Sequence, residues 1–300
     1  MELLYKASGK FLLFGEYLAL HDADTLAIPL KFGQTLIVKN NQENYGFWLS
    51  KQKENEWFQM HFHFRAQLEL ILATDEEIAE KLLQLLNLIY EVKPSLFAQG
   101  LSFEMQSDFD FQWGLGSSST LISLLSQWSE INPYYLLEKS FGGSGYDIAC
   151  ATAQNPIVYN RKQQQVQAVD LADSITEKIL FVYTGKKQNS QKEVKRFEAV
   201  NLTKDDIQEQ NAIIHQACTA KDILEWEDAM MKNETLIARI LGKPNLKTLY
   251  FQDYPYAIKS LGAWGGDFFM ASFRDEQAAR DYFLLKGYPV QFNYQEIIYQ

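Results

Sequence analysis

The chain has 300 residues, 47% of them apolar, which is enough for one large or two moderate cores. Its formal net charge is −10 and no Lys/Arg stripe stands out, which argues against nucleic acid or an anionic membrane as the main partner but leaves room for a small anionic substrate. Cys150 and Cys218, the only cysteines, lie in no metal-like spacing; with no signal-peptide pattern and no apolar run near membrane-spanning length, a soluble cytoplasmic protein with reduced thiols is expected.

Taken in chain order, short strands are expected at Glu2–Tyr5, Thr25–Val38 and Tyr45–Ser50. Phe58, Met60, Phe62 and Phe64 then alternate with Gln59, His61, His63 and Arg65, the pattern of a half-buried strand. The two histidines share a face, but polar companions point to a wet strand surface and not to zinc. Asp75–Tyr90 reads as a helix, with Ile78, Leu82, Leu85, Leu86 and Ile89 on one face and acidic residues at its start. A strand at Leu101–Gln106 follows, then helices after Ser119 and around Pro133–Phe141, and strands at Pro156–Tyr159 and Gln165–Val169. From Ile175 the texture changes. A strand over Lys178–Thr184 leads into a mostly helical stretch from Ser190 to Leu241. Strands at Tyr256–Ser260, Asp267–Ser272 and Pro289–Phe292, with a helix at Asp275–Leu285, close the chain. This reads as two α+β domains meeting near residues 170–178.

Four glycine-bearing segments carry the chemistry. Gly114-Leu-Gly-Ser-Ser-Ser-Thr120 combines glycines, which let a backbone approach an anion closely, with hydroxyls that can bond phosphate oxygens or Mg²⁺. The apolar segment after it is a helix candidate, so the loop would end at a helix N-terminus that favours negative charge. Ser8-Gly9-Lys10 precedes Gly15-Glu16-Tyr17; Gly142-Gly143-Ser144-Gly145 precedes Asp147; and Gly262-Ala263-Trp264-Gly265-Gly266-Asp267 stands near the end. Each alone is explained as a turn, cap or hairpin corner. No Walker-type Gly-x-x-x-x-Gly-Lys-Ser/Thr string is present, nor the protein-kinase His-Arg-Asp and Asp-Phe-Gly strings.

Together and in this order the segments resemble the GHMP kinase superfamily of small-molecule kinases. Ala7-Ser8-Gly9-Lys10 to Gly15-Glu16-Tyr17 is similar to the first family motif, with Ser8 in place of proline. Gly114 to Ser119 is similar to the second, phosphate-binding motif. Gly262 to Asp267 is similar to the third, with Trp264 where a glycine is usual. Within the phosphomevalonate and mevalonate kinase branch, Gly143-Ser144-Gly145-Tyr146-Asp147, Gly265-Gly266-Asp267 and Val182-Tyr183-Thr184-Gly185 followed by Ser190 are more similar to the phosphomevalonate kinases.

The resemblance implies an α+β, two-domain fold: an N-terminal domain over 1–174, like the second domain of ribosomal protein S5, and a ferredoxin-like C-terminal domain over 175–300. It implies ATP and Mg²⁺ as cofactors. Gly114, Leu115, Gly116, Ser117, Ser118 and Ser119 would cradle the nucleotide phosphates, and Ser118 with Glu138 would ligate Mg²⁺. Lys10 and Asp147 would be catalytic, Asp147 as general base and Lys10 holding it ionised. Glu16, Ser144, Gly145, Thr184, Lys186, Gly265, Gly266 and Asp267 would contact the acceptor, with Lys187 and Ser190 further candidates. The implied activity is transfer of the γ-phosphoryl group of ATP to a phosphate or hydroxyl, in phosphomevalonate or mevalonate most simply. A sugar or homoserine kinase, or an inactive binding protein of the same fold, remains the alternative.

Overall fold

The computed structural model describes residues 2–186, 202–262, 264 and 266–298. Two compact units emerge: Met1–Gly9, Phe32–Phe111 and Leu115–Thr152 form the first, and Lys10–Lys31, Gln112–Gly114 and Ala153–Gln300 the second. Strands β1 (Glu2–Phe14) and β2 (Asp24–Asn40) each contribute residues to both. The expected boundary near 170–178 falls within the second unit, at the step from helix α5 (Asp173–Thr176) to strand β9 (Ile179–Tyr183).

In the first unit, strands β3 (Tyr45–Gln52), β4 (Asn55–Phe64) and β5 (Leu68–Ala73) form an antiparallel meander. Strand β6 (Leu101–Ser107) lies parallel to β3 and antiparallel to the second half of β2. A parallel neighbour needs a long crossover, which helix α1 (Glu76–Val92) supplies. The Asp75 carboxylate accepts the Ile78 N–H at 3.0 Å and caps α1, worth about 1 kcal/mol. Its apolar face, Leu82, Leu85, Leu86 and Ile89, joins a core that includes Trp48, Phe62, Phe103 and Trp128. Phe58, Met60 and Phe62 of β4 point inward as the alternation predicts, whereas β5 carries no clear alternation and shows only in the structure. Helices α2 (Ser117–Ser129), α3 (Pro133–Lys139) and α4 (Tyr146–Ala151) complete the unit, with both α3 and α4 packed on α2.

In the second unit, the first half of β2 pairs with β7 (Ile157–Asn160), and β7 with β8 (Gln165–Ala168). A separate antiparallel sheet has the order β10 (Ile258–Ser260), β11 (Phe268–Ser272), β9, β12 (Gln291–Asn293). The helical stretch is two helices, α6 (Lys204–Thr219) and α7 (Ile223–Leu241). They part at Ala220–Asp222 because Asp222 caps α7, accepting the Leu224 and Glu225 N–H groups at 2.9 and 3.0 Å. The part of that stretch before Leu202 lies outside the described residues. Helices α8 (Leu246–Tyr250), α9 (Glu276–Leu285) and α10 (Tyr294–Ile297) follow. Leu180, Val182, Phe251, Tyr254, Phe269 and Phe283 form the core under this sheet. Among the described residues no helix is long and apolar enough to cross a membrane.

Candidate active site

The glycine loop before α2 turns on two glycines and leads into a helix with no side-chain cap. Gly114 and Gly116 take φ values of 67° and 97°, in the left-handed region, and carry the chain around Leu115, which is buried. A Cβ on Gly9, of the first motif, would lie 3.0 Å from the Leu115 carbonyl oxygen, so that glycine permits strand and loop to approach. Helix α2 starts after Gly116 with no side-chain cap. In contrast, α1, α3, α6, α7, α8, α9 and α10 are each capped by an Asp, Asn or Thr side chain. Only α4 and α5, with six and four residues, share the lack of a cap among the described α-helices. The first-turn N–H groups of α2 thus keep their bonding capacity, and the helix dipole reinforces it.

The hydroxyls divide between two tasks. Ser119 donates to the Gly116 carbonyl at 2.8 Å, and Thr120 reaches the carbonyls of Gly116 and Ser117 at 3.1 and 3.0 Å and also bonds Gln34. These two residues are buried and brace the loop from within; Ser118 is exposed. The hydroxyl row read from the sequence is therefore part exposed surface and part scaffold. Burial, which a string of serines does not reveal, separates them.

Within the second unit, residues from three of the segments meet. Lys10 Nζ donates to the Gly114 carbonyl at 3.2 Å. A Cβ on Gly114 would stand 2.5 Å from the Asp267 carboxyl carbon, so only glycine lets that carboxylate come so near. Asp267 in turn is held by its backbone: its carbonyl accepts the Thr184 N–H at 2.8 Å, and its N–H donates to the Lys186 carbonyl at 2.8 Å. The Thr184 hydroxyl accepts the Lys186 N–H at 3.2 Å, closing a tight turn. Lys10, Gly114, Thr184, Lys186 and Asp267 are thereby brought together from positions up to 257 apart in sequence, with an ammonium and a carboxylate beside the loop. Nearby, the Tyr17 hydroxyl accepts the Trp264 N–H at 2.9 Å, tying the first motif to the third.

The first unit holds the other expected participants. Asp147 lies in the first turn of α4, after Gly145 at φ 88°, and its carboxylate accepts the Ile148 N–H at 3.1 Å. Ser144 is half-buried just before it, and Glu138 is exposed near the end of α3. Because α3 and α4 both pack on α2, Ser118, Glu138 and Asp147 ride on three neighbouring helices. No group of three or more His, Cys, Asp or Glu among the described residues could hold a metal ion by itself.

Glu16 has a different place from the acceptor contact expected of it. Its side chain is fully buried and its carboxylate bonds Lys259, a residue that sequence reasoning missed. The signal was a lone lysine in β10, where every neighbour is buried. Gly266, within the third segment, is buried; Gly265, Lys187 and Ser190 lie outside the described residues.

No protein-family profile matches the chain, and no characterised protein matches it by sequence. Solved structures do. The Streptococcus pneumoniae phosphomevalonate kinase, in complex with phosphomevalonate and AMPPNP, superposes with a TM-score of 0.72 at 15% identity, over 97% of this chain and 99% of that one. The Methanococcus jannaschii mevalonate kinase gives 0.67 at 15% identity, over 98% of each chain. Lactococcus lactis galactokinase, solved with galactose, gives 0.69 at 13% identity, over 97% of this chain and 92% of that one. Likeness over almost the full length of three such kinases shows that this chain has the α+β fold that they share.

Proposed function

We propose that the chain is an ATP-dependent small-molecule kinase that passes the γ-phosphoryl group to a phosphate or hydroxyl acceptor. The observation that carries this reading is the uncapped start of α2 after Gly116; within the second unit, Lys10 and Asp267 standing against Gly114 support it. Phosphoryl transfer demands positioning and charge neutralisation more than covalent chemistry, and these are what such a site supplies.

Gly114 to Ser119 would take the nucleotide phosphates through their N–H groups. The donor set suits Mg²⁺ bound to a nucleotide: the exposed Ser118 hydroxyl and the Glu138 carboxylate are hard oxygen ligands on adjacent helices. The metal would draw its remaining ligands from phosphate and water, and would neutralise charge on the transferring group. Lys10 would place a positive charge near the reacting oxygens. Asp147 would accept the acceptor's proton. Ser144, Gly145, Thr184, Lys186, Gly265, Gly266 and Asp267 would form the acceptor side. Phosphomevalonate is the first candidate acceptor and mevalonate the second, since Gly143-Ser144-Gly145, Asp267 and the Thr184 turn resemble that branch.

A second reading, a binding protein that keeps the nucleotide site and lacks turnover, draws on Ser8 and Trp264, where proline and glycine are usual in the family. The two readings part at Asp147. Asp147→Asn removes the base and leaves the cradle, so nucleotide binding should persist while turnover falls about 10²–10⁴-fold. Calorimetry and ADP release read the two effects separately; unchanged turnover would remove Asp147 from the mechanism.

A further inference from the structure

Two carboxylates and one ammonium share a site with no access to solvent in the second unit. Lys259 of β10 and Glu16 of the Gly15-Glu16-Tyr17 segment are each 0% exposed, and Glu234 of α7 is 2% exposed. Lys259 Nζ bonds Glu16 Oε1, donates to the Ser260 carbonyl at 2.9 Å and stands 5.0 Å over the Phe14 ring. The Ser260 N–H donates to Glu234 Oε1 at 2.9 Å. Glu16 Oε2 and Glu234 Oε2 each lack a hydrogen-bond partner.

We propose that these residues form a net-neutral triad, Glu16⁻, Lys259⁺ and a protonated Glu234, and that it is a positioning element holding the first motif to the strand that leads into the third glycine segment. One ammonium balances one carboxylate. A second ionised carboxylate in so dry a place would stand uncompensated, and a buried group in that position takes up a proton instead. Glu16 is the partner that stays ionised, because it holds the direct bond to Lys259. Glu234 has its Oε1 occupied by a donor, so its proton resides on Oε2. Glu234 Oε2 and Glu16 Oε2 have no partner within hydrogen-bond distance, so Glu16 acts on Glu234 through its charge and not through a bond.

The charged groups acting on Glu234 are Lys259 from β10 and Glu16 from the turn after β1; Ser260 of β10 and Leu246 of α8 present backbone N–H groups to it. Burial outweighs the help from Lys259 and, with Glu16 adding to the rise, pushes the Glu234 carboxyl up to about 8. Burial also raises Glu16, against the pull of Lys259. The positioning consequence follows from the chain. Glu16 precedes Tyr17, which holds Trp264, and Lys259 lies three residues before Gly262, so the triad fixes both ends of that link.

The sign of the pH effect is set by the folded value lying above the unfolded one, near 4.5. Folded protein keeps the proton between those values and unfolded protein does not. The contribution to stability is complete below the unfolded value and is lost as pH rises through about 8.

The test compares wild type, Glu234→Gln, Glu16→Gln, Lys259→Met and the Lys259→Met/Glu16→Gln double variant. At pH 6.5 wild type should release about one more proton on unfolding than Glu234→Gln. The wild-type melting temperature should fall from pH 6 to pH 8 more steeply than that of Glu234→Gln. Glu16→Gln and Lys259→Met should each melt well below wild type, and the double variant above Lys259→Met alone. Equal proton release by wild type and Glu234→Gln, or a Glu234→Gln melting temperature as low as that of Glu16→Gln, would overturn the assignment. Calling the linked segments functional rests on the proposed kinase reading. Given turnover, Glu234→Gln should extend the alkaline limb of ADP release beyond that of wild type, and coincident limbs would overturn the positioning role. The proton count needs no activity, so a failed kinase assay and a failed triad are told apart.

Discussion

Gly114 is where a single atom decides most. At φ 67° an added Cβ costs about 1–2 kcal/mol from backbone strain alone, and here it would also collide with the Asp267 carboxylate. Gly114→Ala should lower stability by at least that amount in urea unfolding and weaken nucleotide binding more than tenfold; wild-type affinity would separate this loop from the nucleotide. The residues that the structure joins here, Lys10, Gly114, Thr184, Lys186 and Asp267, were all legible in the sequence as members of glycine segments. What the sequence hid was burial. Nothing in Gly15-Glu16-Tyr17 says that the glutamate turns inward, and the lysine that receives it lies 243 positions away. Serine strings hide the same thing, which is why Ser119 and Thr120 prove to be braces beside an exposed Ser118.

At the scale of elements, α2 is the part left unfinished by its own sequence. Seven helices spend an Asp, Asn or Thr on their first turn; α2 keeps its N–H groups for another partner. Ser118→Asp supplies the missing negative charge from within. It should stabilise the fold by about 0.3–1 kcal/mol while competing with phosphate, so the melting temperature rises and nucleotide affinity falls. Tight nucleotide binding by this variant would contradict an anion site at α2.

A second element-scale prediction concerns the bond between α7 and the end of β11. Arg274 makes two bonds to the Glu227 carboxylate, at 2.9 and 2.8 Å, and the Ser272 hydroxyl adds a third. Burial by itself would raise this carboxyl, but Arg274 and Ser272 outweigh it and hold Glu227 below the usual range. A depressed value stabilises above the unfolded pKa and is lost as pH falls through the folded one. Glu227→Gln should therefore cost about 2–3 kcal/mol at neutral pH and flatten the acid limb of the stability profile, read by chemical unfolding at pH 3 to 7. Elements with strong periodicity, α1 and β4, were legible from sequence. So were most strands within two residues. The segment Ser8-Gly9-Lys10 reads as a turn but runs straight through β1, because the close approach of Leu115 and the pairing of β1 with β2 override local turn preference. β5 and the short helices α4, α5, α8 and α10 are set by tertiary packing and leave little trace in a window of a few residues.

For the whole molecule, the order of glycine segments along 300 residues was a better guide than any one of them, since a fold shared over 97% of the chain survives at 15% identity. Fold likeness does not choose the acceptor: kinases of phosphomevalonate, mevalonate and galactose all share it. The acid-side effect of Glu227 and the alkaline-side effect of Glu234 together predict a stability optimum between them, with the two variants each flattening one side. The most direct measurement of the central claim is ADP release from Mg²⁺-ATP in the presence of phosphomevalonate, mevalonate, homoserine or galactose, run with wild type and Asp147→Asn. The account predicts acceptor-dependent release by wild type, first with phosphomevalonate, and loss of that release in a variant that still binds nucleotide. Nucleotide binding by wild type with no release on any acceptor would contradict the kinase and leave a binding protein.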